Sequence, residues 1–210
     1  MPIDPATAQE GSADMQIPLR KLSAANLDAV LVAARLKPAA RALIAGCRSV
    51  PEALARLENG GLAREAVRLV AHALPTRETV WWACMCASHT APADLAESDR
   101  QAVEAAEAWV RRPSDESRLA ATGRAEAADT KSPEVWAATA VAWSGEPSTP
   151  PDTQRRAPSR KVPGTAVASA VVLASLRTSP ERSRMRLERF LESAHDIASG
   201  GGGRLPQEAA

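Results

Sequence analysis

Residues 62–86 read LAREAVRLVAHALPTRETVWWACMC, and this stretch predicts two closely joined helices. The apolar residues of its first half recur on one side at helical spacing: Leu62, Ala66, Leu69, Val70, Ala73 and Leu74. Pro75 then starts the second helix, since proline is tolerated at a first helical position. After Val80 the second helix is apolar nearly all round, and a helix of that kind belongs in the centre of a domain. We therefore predict a core helix over residues 76–88.

The rest of the chain carries start signals for further helices. Ser49 with Glu52 fits a capping box, and residues 132–134 and 179–181 both read Ser-Pro-Glu, a cap, a proline and an acid. Strong helix formers are abundant, whereas the chain has no Tyr and one Phe. We predict an all-α fold: a single compact domain of about eight or nine helices, with disordered N- and C-terminal tails.

Composition also sets the expected boundaries. We expect a disordered tail at residues 1–18, a helical domain at 19–199 and a flexible tail at 200–210. Within the domain, residues 146–163 are rich in Pro, Ser and Arg and predict a mobile loop, because too little chain follows them to make a second core. The longest apolar run, 165–176, is shorter than the roughly 20 residues that span a bilayer. The first residues also lack the apolar core of a secretory signal.

Charge and cysteine content narrow the class of protein. The net charge is +1, from 26 basic and 25 acidic residues, which argues against a nucleic-acid binder because such proteins need a clustered basic surface. Three cysteines are an odd number and make no disulfide framework, so a reducing cytoplasm is the simplest setting. We expect a cytoplasmic protein without membrane insertion.

Two residue patterns could suggest a metal site. Cys84 and Cys86 lie near His72 and His89, but residues two apart on a helix point about 200° from each other, so the two thiols cannot face one ion. Their apolar surroundings favour buried, inert cysteines. Glu192-x-x-His195 is half of a di-iron motif, which requires a second such pair and two further glutamates. We expect no metal and no cofactor.

An enzyme using Cys47 or the Glu192/His195 pair remains an alternative. Cys47 follows Gly46 at the end of a predicted helix and has no evident activating partner. The chain contains no G-x-S-x-G, no H-E-x-x-H and no phosphate-cradling glycine loop. The observation that would favour an enzyme is a pocket in which these residues converge with another polar group.

Candidate partner-binding residues come from two places. Trp81 and Trp82 are about 100° apart on a helix, so one is expected in the core and the other either in the core or in a groove that receives a partner. A basic cluster in the 146–163 loop could dock on an acidic partner or a phosphate, although it also fits an ordinary soluble loop. The candidate residues are Trp81, Trp82, Arg155, Arg156, Arg160 and Lys161.

Five sequence blocks suggest a family. They are RLVAHALPTRETVWWACMCA (68–87), AEAWVRRPSDESR (106–118), WAATAVAWSGE (136–146), PGTAVASAVVLAS (163–175) and RFLESAHDIASG (189–200). Over about residues 45–200 the chain resembles an uncharacterised bacterial all-helical family whose members sometimes occur near type VI secretion genes. The resemblance implies a cytoplasmic accessory protein of a secretion apparatus, and it brings no catalytic residues.

The leading hypothesis is a non-enzymatic adaptor, chaperone or scaffold that binds another protein, such as a secretion component or an effector. Helical proteins of this kind bind partners through apolar grooves or through segments that order on contact. An immunity protein that neutralises one toxin is an alternative, and a thiol- or Glu/His-dependent enzyme is a further one. The sequence leaves the oligomeric state open.

Overall fold

The structure, a computed structural model, describes residues 19–128, 131–145 and 162–208. Over these ranges the chain forms one compact helical domain without a strand. Its α-helices are α1 (Arg20–Ser23), α2 (Leu27–Ala34), α3 (Pro38–Leu43), α4 (Val50–Asn59), α5 (Ala63–Ala73), α6 (Thr76–His89), α7 (Glu97–Arg111), α8 (Asp115–Ala127), α9 (Pro133–Ala142), α10 (Pro163–Leu176) and α11 (Ser183–Ser199). The all-α prediction is confirmed, and nine of the described helices have seven or more residues.

Helices α6 and α10 form the centre of the domain. Helix α10 packs against α5, α6 and α9, and α6 packs in addition against α7. The prediction of a core helix is confirmed by the buried residues of α6: Thr79, Val80, Trp82, Ala83, Cys84, Cys86, Ala87 and His89. Helix α10 starts close to the end of α5, because a Cβ added at Gly164 would lie 2.6 Å from the carbonyl oxygen of Ala71. Small residues therefore let the central helices approach closely.

The predicted helix starts are confirmed at two serines. The Ser49 hydroxyl accepts a hydrogen bond from the N–H of Glu52, and the Ser132 hydroxyl accepts one from the N–H of Val135. The capping box at Ser49 is incomplete, however. The Glu52 carboxylate accepts from the N–H of Arg48 at 2.8 Å, one residue before the cap, so it satisfies a different donor from the one expected.

Two predicted helix starts differ from the structure. Ser179 makes no cap hydrogen bond, and Pro180–Arg182 forms a short 3₁₀ helix before α11 begins at Ser183. The connection is held close to α11 by Arg186, whose guanidinium donates to the carbonyl oxygen of Arg177 at 2.5 Å. Pro75 is the cap residue of α6 with extended backbone (φ −55°, ψ 147°), so α6 starts one residue later than expected.

The structure differs from the predicted flexible tail at residues 200–210 over the part that it describes, residues 200–208. Gly200 ends α11 in the left-handed conformation (φ 103°), and residues 200–208, which we call the strap, then fold back across the domain. The reason is a set of hydrogen bonds from α6 and α11 to the strap, described below. Residues 1–18, 146–161 and 209–210 lie outside the described ranges, and the predicted N-terminal tail and most of the predicted mobile loop fall there.

Candidate functional site

The adjacent tryptophans of α6 have different surroundings. Trp82 is completely buried, and its indole N–H donates to the carbonyl oxygen of Phe190 at 2.8 Å. Trp81 is half-buried, and its indole N–H donates to the carbonyl oxygen of Gly202 at 2.7 Å. Trp82 is therefore a core residue, the position that the helical spacing predicts for one of the two tryptophans. Trp81 lies at the surface, where α6 meets the strap.

The first half of the strap is held through its main chain. The Ser193 hydroxyl donates to the carbonyl oxygen of Gly203 at 2.6 Å, and the N–H of Gly203 donates to Oδ2 of Asp196 at 2.7 Å. Together with the Trp81 contact, these bonds bind two successive peptide units. The recognition is of backbone, because the residues at this point of the strap are glycines without side chains.

The second half of the strap is held through backbone and one carboxylate. Nδ1 of His89 donates to the carbonyl oxygen of Pro206, and the N–H of Glu208 donates to the carbonyl oxygen of His89 at 2.7 Å. The guanidinium of Arg186 donates to Oε2 of Glu208 through two nitrogens, at 2.9 and 2.5 Å. Arg182 adds a longer contact of 3.4 Å to the same carboxylate. These contacts place an acidic side chain on two arginines, one in the 3₁₀ helix and one in the first turn of α11.

The groove beneath the strap, which we call the strap groove, combines an apolar floor with buried donors. Its polar side chains are almost inaccessible: His89 is 1% exposed, Arg186 4% and Ser193 5%. The ring of His89 meets the ring of Phe190 edge-on, with centroids 5.8 Å apart, and Leu205 of the strap packs on the core. Buried donors cost stability unless they are paired, and the acceptors of the strap pair them here.

A second cleft, of about 490 Å³, lies between the start of α5 and one face of α11. Glu58, at the end of α4, accepts a hydrogen bond from Nε2 of His195 at 2.8 Å. Glu188 and Glu192 line the same cleft, as does Arg184. The Glu192/His195 pair therefore converges in a pocket with a further carboxylate, the arrangement that the enzyme alternative requires.

We expect stability to depend on pH through this pair. The hydrogen bond that His195 donates to Glu58 raises the pKa of His195 above its usual value. The negative charges of Glu58 and Glu192 raise it further, whereas burial lowers it. The pair therefore stabilises the folded state fully at pH values below the unfolded-state pKa of histidine, about 6.5. This stabilisation is lost as the pH rises through the higher folded-state pKa of His195. Because His195 is about one-third exposed, the gain is below about 1 kcal/mol.

The measurement is the thermal midpoint of the wild type and of Glu58→Gln from pH 5 to pH 9. The thermal midpoint of the wild type is expected to be higher than that of the variant at pH 5–6, and this difference is expected to disappear as the pH rises. The ring-proton NMR titration of His195 is expected to move to a lower midpoint in Glu58→Gln. An equal midpoint of the His195 NMR titration in both proteins would contradict the assignment of the pKa shift to Glu58.

The cysteines are not activated as nucleophiles. Cys84 and Cys86 are completely buried, and burial raises the pKa of both thiols well above the usual range. Cys47 is half-buried, and burial raises the pKa of its thiol too, despite the nearby charge of Arg56. A raised pKa leaves little thiolate at neutral pH. Within the described residues no group of three or more His, Cys, Asp or Glu side chains could hold a metal ion.

Sequence reasoning missed the three buried polar residues of the strap groove. Arg186 lies four residues before Phe190, on the apolar, buried face of α11. A charge on such a face requires a buried partner, and that was the available signal. Of the other predicted contact residues, Arg155, Arg156, Arg160 and Lys161 lie outside the described residues.

No described helix is both long and apolar enough to cross a membrane. A family model described as a family of unknown function (DUF6931) matches residues 53–198. The match confirms the resemblance to an uncharacterised family, over nearly the stretch expected. No curated protein and no solved structure matches the chain.

Proposed function

We propose that this chain, which belongs to the DUF6931 family of unknown function, is a non-enzymatic adaptor, chaperone or scaffold that binds another protein. The observation that supports this function is the strap groove. Its side chains already hold a segment of chain by carbonyl oxygens, an N–H and a single carboxylate. Folded domains commonly bind peptide segments of their partners in such grooves.

We also propose a setting for this binding. The partner is a component or an effector of a bacterial type VI secretion system, and the chain acts in the cytoplasm. The support is the resemblance of the five sequence blocks to a family whose members sometimes occur near such genes. An immunity protein, with a single toxin as its partner, is the nearest alternative.

The test is affinity purification of the tagged chain from its native host, with mass spectrometry of the captured proteins. We expect one dominant partner, and we expect Trp81→Ala to reduce its capture because Trp81 borders the strap groove. Leu119→Ala is the matched control, since Leu119 is an exposed apolar residue on α8. Recovery of no specific protein would contradict the adaptor function, whereas a single toxin would favour the immunity alternative.

An enzyme is a second candidate, because Glu58, Glu192 and His195 meet in one cleft. A histidine paired with a carboxylate is a usual general base. Cys47, the other residue considered for catalysis, does not line this cleft. If Glu192→Gln no longer supports the phenotype that the wild-type protein gives its host, and still captures the partner, the enzyme is favoured over the adaptor.

A further inference from the structure

We propose that the strap is an internal occupant of a peptide-binding groove, and that the partner docks there through a segment in which an apolar residue is followed three residues later by a carboxylate. The strap itself has this pattern, with Leu205 on the core and Glu208 on the arginines. This inference rests on the proposed protein-binding function and specifies its site. The strap then competes with the partner.

The contacts that hold the strap are mostly to its main chain. Trp81, Ser193 and His89 each donate to a main-chain carbonyl oxygen, of Gly202, Gly203 and Pro206. Every peptide has such oxygens, so these three donors can bind another segment that follows the same path. The left-handed backbone of Gly203 and its close approach to Ile197 require a glycine at that position of the segment.

The charge of the groove selects the acidic residue. Glu208 is held by the buried Arg186 and the more exposed Arg182, and the hydrogen bond from Arg186 lowers the pKa of the Glu208 carboxyl. Arg186 also donates to the carbonyl oxygens of Ser175 and Arg177, which fix its guanidinium at the end of α10. Without the strap this cation remains in place and lacks a carboxylate, so an acidic segment is the complementary ligand.

The strap and the residues of the groove belong to different parts of the sequence. Trp81, His89, Arg186 and Ser193 all lie within residues 53–198, which the family model matches, and the strap lies beyond residue 198. Four successive glycines, Gly200–Gly203, connect the strap to α11. Since the strap is tethered, its effective concentration at the groove is on the order of millimolar. A partner replaces the strap only if it binds the groove more tightly than the strap does or is present at a higher concentration.

Gly203 offers a variant that opens the groove. It has a left-handed backbone (φ 58°), and an added Cβ would lie 2.4 Å from Cγ1 of the buried Ile197 and 3.0 Å from the carbonyl oxygen of Ser193. Gly203→Ala is therefore expected to displace the strap. Gly202→Ala is the matched control, because a Cβ there meets only the Arg204 side chain, at 3.6 Å.

The probe is a fluorescein-labelled synthetic peptide of residues 200–210, and the measurement is its anisotropy with each full-length protein. We expect Gly203→Ala to bind it at least about tenfold more tightly than the wild type or Gly202→Ala. We expect the same peptide with Glu208→Ala to lose about tenfold in affinity, because it lacks the charge-assisted bonds to Arg186. Equal binding to all three proteins, or no binding to a Gly203→Ala protein with wild-type circular dichroism, would overturn the proposal.

Two further measurements complete the test. If Gly203→Ala fails to fold, a protease site inserted between Gly200 and Gly201 is cut after folding, and exchange of the cut strap for the labelled peptide is expected. Size-exclusion chromatography identifies a second copy as occupant: a Gly203→Ala dimer that excludes the peptide would overturn the proposal. A host partner captured equally with and without excess peptide would also overturn it, and would leave the adaptor function standing.

Discussion

Replacement of Arg177 by alanine is expected to lower the free energy of unfolding by about 3–5 kcal/mol. The Arg177 guanidinium faces the Glu134 carboxylate with two parallel bonds, Nη1 to Oε1 at 2.8 Å and Nη2 to Oε2 at 2.5 Å. Glu134 is completely buried at the start of α9, so loss of Arg177 leaves its carboxylate in the interior without a counter-charge. Urea denaturation followed by tryptophan fluorescence is expected to show a lower midpoint with an unchanged slope.

Arg184→Ala is the control for this effect. Arg184 pairs with Glu188 on α11 at 3.0 Å, but the two side chains are 84% and 55% exposed, so the loss is expected to be about 0–1 kcal/mol. The double variant Glu134→Leu/Arg177→Leu removes both buried charges and is expected to be more stable than Arg177→Ala. Equal losses in Arg177→Ala and Arg184→Ala would contradict a structural role for the buried pair.

Much of the fold could be predicted because the apolar period of a helix reports its buried face. The apolar residues that recur at helical spacing on α7 are all buried: Ala102, Val103, Ala106, Trp109 and Val110. The same holds on α11 for Leu187, Phe190, Leu191, Ala194 and Ala198. Local capping chemistry is also readable, since Ser132, which begins a Ser-Pro-Glu signal, caps α9.

The buried ion pairs could not be predicted in the same way. Glu134 has the local signature of an acid at a helix start, where it would be exposed and near the positive helix end. Its partner Arg177 is 43 residues away, across the 146–163 segment, and nothing local to either residue marks the pairing. The distinction between a solvated and a buried carboxylate depends on tertiary packing, which a single sequence does not specify.

The strap was missed for a related reason. Its four glycines, Gly200–Gly203, indicate a helix end followed by flexible chain, and that interpretation is correct for Gly200. Beyond it, order comes from partners distant in sequence, such as Trp81 and His89 on α6. The same distant contacts bring Trp81 to the strap groove, and nothing local to the buried polar residues of the groove marks their part in it.

The adjacent tryptophans of α6 provide the second large effect. Trp82→Ala is expected to cost about 3–5 kcal/mol, because it removes a completely buried indole and leaves a large cavity between α6 and α11. The variant also loses the bond from Trp82 to the carbonyl oxygen of Phe190. Trp81→Ala is expected to cost about 1–2 kcal/mol, since Trp81 is only half-buried and loses one hydrogen bond to the strap.

Guanidinium denaturation of both variants, with the wild type beside them, measures the difference. The two residues are neighbours on one helix and of one type, so helix propensity and composition are matched, and the gap of about 2 kcal/mol reports burial alone. Trp81→Ala is expected in addition to loosen the strap and, combined with Gly203→Ala, to weaken binding of the labelled peptide of residues 200–210, because the strap and the peptide both lose the indole donor. Trp82→Ala is expected to lower stability without that selectivity. A larger loss of stability in Trp81→Ala than in Trp82→Ala would place Trp81, and not Trp82, in the core. Trp81 would then not belong to the strap groove.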